Sequence, residues 1–165
     1  MATTAFKGSP VQTIGDLPAK GEKAPEFTLT GTDLADLTPA DFEGRRVVLN
    51  IFPSIDTGVC AQSVRTFNER AASLTDATVV CASADLLFAL KRFCGAEGIE
   101  NVTTASNFRS DFGTQYGVEM TDGPMKGLLA RSVVVLDTDG TVLHTELVPD
   151  ITQEPDYDAA LAVLA

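Results

Sequence analysis

The 165-residue sequence has few basic residues, few cysteines and no long apolar run. Its 12 lysine and arginine residues stand against 23 aspartate and glutamate residues, a formal net charge of −11 at neutral pH. This charge repels phosphate backbones and anionic lipid headgroups, so it disfavours nucleic-acid binding and attachment to a membrane surface. No apolar run approaches the roughly 20 residues of a membrane-spanning helix. The N-terminus also lacks the charged start and apolar run of a signal peptide.

The three cysteines, Cys60, Cys81 and Cys94, are too few and odd in number for a disulfide scaffold. Together with the missing signal peptide, they predict a cytoplasmic protein whose thiols are reduced. Apolar residues make up 44% of the chain and charged residues 21%, an ordinary globular balance. We therefore expect a single domain over residues 1–165 with one core and no need for disulfides.

Apolar strands alternate with helical patterns along the chain, which predicts an α/β fold with a mixed sheet. The first residues predict a β-hairpin around Gly8-Ser9-Pro10. Further strands are predicted near Phe27–Leu29 and over Arg46–Phe52, Thr78–Ala82, Ser132–Leu136 and Thr141–Val148. One helix is predicted to start near Thr57, and a second to cover Asp85–Phe93 with Leu86, Leu90 and Phe93 on one face. A third, short helix is predicted to include Phe108, Phe112 and Tyr116. The last is predicted over Pro155–Leu164, with Pro155 near its first turn.

The segment from Pro53 to Cys60 runs from the end of a buried strand into a helix. With Thr57 as the N-cap residue, Cys60 occupies the third helical position, among free backbone N–H groups and the positive helix end. A thiol at such a position is favoured as the nucleophilic thiolate. By position alone, a reactive cysteine and a half-buried packing cysteine remain equally open. Gly58 occupies the first helical position and predicts a more mobile turn than proline would give.

The spacing of Pro53, Thr57 and Cys60 in PSIDTGVC is the active-site signature of the peroxiredoxin family. APEFTLT, VVLNIFP, KRFCG and GPMKGLLARSVVVLD, met in this order, resemble its thiol peroxidase subfamily of atypical two-cysteine enzymes. The resemblance covers nearly the whole chain. It implies a thioredoxin-like α/β fold of the peroxiredoxin type, with a mixed central sheet, an N-terminal β-hairpin and peroxidase activity.

The resemblance assigns roles that the residue chemistry permits. Cys60 is implied as the nucleophile that attacks the peroxide and becomes a sulfenic acid. Thr57 is implied to offer its hydroxyl to the peroxide and the thiolate, beside its capping role. Pro53 is implied to shield the sulfur, although it also fits a strand terminator. Arg131 is implied to stabilise the thiolate and the developing charge, whereas an arginine at a strand start is otherwise more often solvated.

The other two cysteines receive different interpretations. By resemblance, Cys94 is the resolving cysteine that forms an intrachain disulfide with Cys60. Its predicted place at a helix end before Gly95 allows fraying. Disulfide geometry needs Cα atoms within about 7 Å, so we expect both helices to unwind locally during turnover. Cys81 lies in a predicted buried strand and is expected to be inert packing.

No cofactor or metal is expected, because sulfur carries the redox change. A zinc site built from the three cysteines and His144 lacks the C-x-x-C spacing of structural sites, and His144 fits a surface or strand residue. The resemblance implies hydroperoxide substrates, thioredoxin as reductant and a homodimer with contacts near Gly123–Arg131. The apolar side chains of Met125, Leu128 and Leu129 are compatible with a preference for bulky alkyl or lipid hydroperoxides. They fit packing in the core or at a dimer interface at least as well. The alternative function is a thioredoxin-fold redox sensor or binding protein with little turnover.

Overall fold

The N-terminal residues form a separate two-stranded antiparallel sheet of β1 (Thr3–Phe6) and β2 (Ser9–Gln12). The computed structural model describes every residue from Met1 to Ala165. Lys7 and Gly8 connect the strands with φ angles of 51° and 84°. Two consecutive positive φ angles match the right-handed twist of a two-residue hairpin, and glycine adopts such an angle without steric cost. The predicted hairpin is confirmed.

A seven-stranded mixed sheet forms the centre of the molecule. Its strands are β3 (Leu29–Gly31), β4 (Asp36–Leu37), β5 (Arg46–Ile51), β6 (Ala77–Ser83), β7 (Thr103–Ser106), β8 (Ser132–Leu136) and β9 (Val142–Leu147). They lie in the order β4-β3-β7-β6-β5-β8-β9. The pairs β5–β6 and β6–β7 are parallel and all the others are antiparallel. The predicted mixed sheet is confirmed.

The central strands are buried on both faces, as the apolar sequence of β5 predicts. Side chains alternate along the strand, so Val47 and Leu49 join one hydrophobic cluster and Val48 joins another on the opposite face. Cys60 and Cys81 belong to the same cluster as Val48. The candidate nucleophile therefore lies in the interior rather than on the surface.

Helices cover the two faces unequally. They are α1 (Gly58–Ala71), α2 (Leu87–Glu97), α3 (Phe112–Gln115) and α4 (Tyr157–Ala162), with a 3₁₀ turn at Pro39–Phe42. Helices α1, α2 and α4 bury Phe67, Leu90 and Ala160 on the cysteine face. Phe112 and Tyr116 stack at 4.6 Å between ring centroids on the other face. None of these helices is long and apolar enough to span a bilayer.

Helix α2 differs from its prediction at both ends. Leu86 is the N-cap and is 53% exposed, so Leu87 replaces it on the buried face. Gly95 does not end the helix, because its backbone stays helical and the chain continues to Glu97. Gly98 ends it with a φ of 65°, and the N–H groups of Gly98 and Ile99 donate to the carbonyl oxygen of Cys94. Cys94 thus lies inside the last turn and not at the terminus.

Three other expectations need correction. The strand predicted near Phe27–Leu29 lies at Leu29–Gly31, and Phe108 is 45% exposed outside α3. The helix predicted over Pro155–Leu164 covers Tyr157–Ala162, so Pro155 lies just before its N-cap. The cap is Asp156, whose carboxylate accepts a hydrogen bond from the N–H of Ala159 at 3.0 Å, so a specific side-chain acceptor decides where the helix begins.

Candidate active site

The loop between β5 and α1 forms as the sequence predicts. Pro53 is buried just after the strand end, and Thr57 has the extended backbone of an N-cap residue. Cys60 therefore occupies the third position of α1. The Thr57 hydroxyl does not cap the helix, because it donates to the carbonyl oxygen of Ser54 at 2.9 Å. Its oxygen keeps its lone pairs, so it can accept a hydrogen bond from another group.

Arg131 immediately precedes β8 and contacts the thiol of Cys60. Cys60 is 0% exposed and Arg131 is 1% exposed. The Nη2 of Arg131 donates to the Cys60 Sγ at 3.0 Å, and its Nε donates to the Ile151 carbonyl oxygen at 2.9 Å. The Nη1 is buried without a partner, and no carboxylate forms an ion pair with this guanidinium.

An unpaired buried charge costs several kcal/mol, in order of magnitude. A thiolate at Cys60 would supply the missing negative charge at hydrogen-bond distance from Arg131. The arrangement can therefore hold a nucleophilic sulfur next to a cationic donor whose Nη1 group has no hydrogen-bond partner. It is not the solvated arginine that a strand start alone suggests.

A cavity of about 130 Å³ lies over this pair. Three predicted site residues line it: Pro53, Thr57 and Arg131. The rest of its wall comprises Phe6, Gly58, Val59, Met125, Ile151 and Thr152. Cys60 adjoins the cavity through its bond to Arg131. The structure thus brings four of the five predicted site residues together around one small and mostly apolar space.

Asp150 fixes the wall of this cavity, and the sequence analysis missed it. Its carboxylate accepts hydrogen bonds from the N–H groups of Gly8 at 2.8 Å and Thr152 at 2.9 Å. Hydrogen bonds from the hydroxyl and N–H of Thr152, and then from Gly8, lower the pKa of Asp150 to about 2. The hairpin that carries Phe6 is thereby tied to the loop that carries Ile151. The only sequence signal was the Asp-x-Thr spacing, which is typical of turns.

Cys94 lies apart from this group. Its half-buried Sγ is 3.5 Å from the Thr104 Oγ1 of β7, and it lines a different cavity of about 360 Å³. Arg131, the partner of Cys60, precedes β8, which is three strand positions away from β7. The polar partners of the two thiols therefore lie on segments that β6 and β5 separate. All three cysteines are free thiols.

Cys81 has the surroundings of a packing residue. It is 0% exposed in β6, and the Nδ2 of Asn50 is 3.6 Å from its sulfur. Burial raises the pKa of the Cys81 thiol to about 12, against a smaller opposing effect of the Asn50 hydrogen bond. This thiol is therefore neutral and a poor nucleophile near pH 7. No three histidine, cysteine, aspartate or glutamate residues group closely enough to hold a metal ion.

The apolar segment before Arg131 divides between packing and the cavity. Leu129 is fully buried in the main core, and Leu128 packs against the small cluster beneath the hairpin. Met125 packs against the same cluster as Leu128 and also lines the cavity. All three residues thus pack in the fold, and Met125 is also placed to contact a bound molecule.

Comparisons with known proteins agree with this geometry. The redoxin family model matches residues 19–161. The chain is 60% identical over 164 residues to a thiol peroxidase of Mycobacterium tuberculosis, and 58% identical to one of Corynebacterium glutamicum, with 99% of each chain covered. The crystal structure of a peroxiredoxin-like protein from Aquifex aeolicus matches with a TM-score of 0.93 at 39% identity, covering 99% of this chain and 96% of that one. The chain therefore belongs to the redoxin family and, within it, to the thiol peroxidases of the peroxiredoxin type.

Proposed function

We propose that this protein reduces hydroperoxides with Cys60 as the attacking nucleophile and Cys94 as the resolving thiol. The observation that carries the proposal is the buried contact between the Cys60 Sγ and the Arg131 Nη2 at 3.0 Å, under a cavity lined by Thr57 and Pro53. It combines a nucleophile, a cationic donor and a space for a small substrate. A peroxidase needs all three.

The first step is an attack of the Cys60 thiolate on the terminal oxygen of the peroxide. A sulfur–oxygen bond forms, the oxygen–oxygen bond breaks, and the leaving alkoxide or hydroxide takes a proton. Sulfur is oxidised to a sulfenic acid and the peroxide is reduced to an alcohol or water. The free Nη1 of Arg131 can stabilise the developing negative charge, and the Thr57 oxygen can accept the peroxide O–H.

The second step joins the two cysteines. The Cys94 thiol attacks the Cys60 sulfenic acid, a disulfide forms and water leaves. Disulfide geometry needs Cα atoms within about 7 Å, and the two cysteines lie in separate helices with different partners, so we expect both segments to unwind before the bond forms. The position of Cys94 in the last turn of α2 favours this step, since terminal turns open at a low cost in free energy.

The disulfide is then reduced by a dithiol protein, and we assign this role to thioredoxin. Exchange transfers the disulfide to thioredoxin and returns both thiols of this protein. A supply of reduced thioredoxin fits a cytoplasmic enzyme. Metal and organic cofactors have no step to perform in this cycle.

We further propose that two copies associate through the segment Gly123–Arg131, which contributes Met125 to the cavity wall.

The test is oxidation of NADPH in a mixture of hydroperoxide, thioredoxin, thioredoxin reductase and the protein. Wild type is expected to turn over repeatedly with cumene hydroperoxide and hydrogen peroxide, and Cys60→Ser is expected to show the protein-free background rate. Equal rates for the two proteins would refute the peroxidase. A wild type that forms one disulfide and then stops would instead indicate a redox sensor.

A further inference from the structure

Asp85 lies at the junction of the two segments that carry the reactive cysteines. It follows the end of β6 and precedes α2, the helix of Cys94. Its side chain points the other way, toward the loop that leads to Cys60. One carboxylate oxygen accepts from the Ser54 hydroxyl at 2.8 Å, and the other accepts from the Ile55 N–H at 2.7 Å.

The contact extends from Asp85 to the peroxide cavity. Ser54, which Asp85 holds by its hydroxyl, accepts two hydrogen bonds at its carbonyl oxygen. They come from the N–H of Thr57 at 3.2 Å and from its hydroxyl at 2.9 Å. Asp85 therefore holds, through Ser54, the carbonyl oxygen that orients the hydroxyl of Thr57, a residue that lines the cavity.

Asp85 is itself held from the β-sheet side. The Ser83 hydroxyl donates to its carboxylate at 2.6 Å, and the Ser106 hydroxyl donates to its carbonyl oxygen. Ser106 belongs to β7, the strand whose Thr104 contacts the sulfur of Cys94. The Asp85 backbone is thus held by the strand that contacts Cys94, and its carboxylate holds the loop that leads to Cys60.

Two ion pairs also link these halves. Arg92 of α2 pairs with Asp56 at 3.4 Å, and Arg65 of α1 pairs with Glu97 of α2 at 2.6 Å, with all four side chains more than a third exposed. Exposed ion pairs contribute little because water and salt screen them. Hydrogen bonds to a partly buried carboxylate are stronger, and Asp85 is the group that joins the start of α2 to the loop before Cys60.

We propose that Asp85 is a positioning residue that couples the Cys60 loop to the Cys94 helix and so sets the balance between peroxide reduction and disulfide formation. With its bonds intact, the loop presents Thr57 to the peroxide. When the Asp85 hydrogen bonds break, the loop and the start of α2 separate, and the two cysteines can approach closely enough to form the disulfide. This proposal rests on the roles proposed above for Cys60 and Cys94.

The competition between two fates of the sulfenic acid provides the readout. The acid either condenses with Cys94 or reacts with a second peroxide to give a sulfinic acid. In Asp85→Ala we expect a roughly tenfold slower first oxidation of Cys60, the size expected for losing a hydrogen bond to a charged group. We also expect the disulfide to form faster in Asp85→Ala, which leaves less time for the sulfenic acid to meet a second peroxide. This variant should therefore need several-fold more peroxide than wild type to reach the same sulfinic fraction per turnover.

The experiment compares rapid-mixing oxidation rates and sulfinic acid yields, measured by mass spectrometry, for wild type, Asp85→Ala, Asp85→Asn and Asp76→Asn. Asparagine keeps the shape and one acceptor, so Asp85→Asn is expected to fall between wild type and Asp85→Ala, and it remains informative if the alanine variant folds poorly. Asp76 accepts from Arg46 on the surface at 2.7 Å, so Asp76→Asn is the matched control. Sulfinic yields equal to those of wild type in both Asp85 variants would overturn the proposal. A wild type that forms no disulfide between Cys60 and Cys94 would instead refute the proposed function.

Discussion

The surroundings of Cys60 and Cys94 differ in almost every physical respect. Cys60 is fully buried, contacts a buried guanidinium and lies at the start of a 14-residue helix. Cys94 is half-buried, its nearest polar neighbour is a neutral hydroxyl, and it lies in the last turn of a helix. These surroundings support the proposed roles, in which Cys60 reacts with the peroxide and Cys94 moves to resolve the sulfenic acid.

The largest effect is expected from removing the mobile thiol. Cys94→Ser should lose multiple turnover with thioredoxin, because serine cannot form the disulfide, while the first oxidation of Cys60 stays close to the wild-type rate. Cys81→Ser is the matched control, and the neutral, buried thiol it removes predicts nearly normal turnover. Steady-state NADPH oxidation and single-turnover oxidation measure the two quantities. Loss of turnover in Cys81→Ser with retention in Cys94→Ser would reverse the assignment.

The second effect concerns the charge beside Cys60. Arg131→Lys keeps the positive charge but cannot bond the Cys60 sulfur and the Ile151 carbonyl oxygen with one planar group. We expect the oxidation rate of Cys60 to fall about 10²-fold, as when one donor to a developing anion is removed. Arg46→Lys, at a surface ion pair, should react normally. A near-normal rate in Arg131→Lys would show that charge alone is sufficient.

A pair of glycines tests whether α2 must open. Gly98→Ala places a side chain at a φ of 65° and should destabilise the end of the helix by about 1 kcal/mol. Gly95→Ala lies in helical backbone with open space around it and should stabilise the helix by roughly 0.5–1 kcal/mol. Disulfide formation after a single oxidation should therefore be faster in Gly98→Ala and slower in Gly95→Ala. Identical rates in the two variants would mean that the opening of this turn does not limit the step.

The smallest effect is a pH dependence at the cavity wall. The folded pKa of Asp150 is about 2, below the ordinary 3.8, so its carboxylate stabilises the fold above about pH 3.8. This contribution is lost as the pH falls from about 3.8 towards 2. The difference in melting temperature between wild type and Asp150→Asn should be constant near neutral pH and should shrink over that interval. If the difference in melting temperature stayed the same down to pH 2, it would come from packing of the Asp150 side chain and not from its charge.

Sequence patterns predicted the parts of this molecule that local chemistry determines. The apolar run of β5, the N-cap conformation of Thr57 and the helical position of Cys60 all lie within a few residues of their cause. Strand β7 was missed because Thr103-Thr104-Ala105-Ser106 has no apolar run, and only its place between β3 and β6 makes it a strand. Glycine was an ambiguous stop signal, since Gly95 continues the helix and Gly98 ends it.

The site was predictable where a motif was local and not where it depended on distant contacts. The spacing of Pro53, Thr57 and Cys60 fixed one side of the cavity. Asp85 and Asp150 bridge segments 30 or more residues apart, and the only local signal, the Asp-x-Thr spacing at Asp150, marks a turn and not a bridge. Such residues become visible only when the folded chain shows which backbone groups they satisfy.

The central claim is that Cys60 and Cys94, which lie apart in the reduced protein, join during turnover. The most direct measurement is peptide mapping by mass spectrometry after one equivalent of cumene hydroperoxide and trapping of free thiols. We predict a linked peptide pair containing Cys60 and Cys94, lighter by two hydrogen atoms than the two peptides together, with Cys81 recovered as a free thiol. A pair linking Cys60 to Cys81, or a Cys60 sulfinic acid without any linkage, would contradict it.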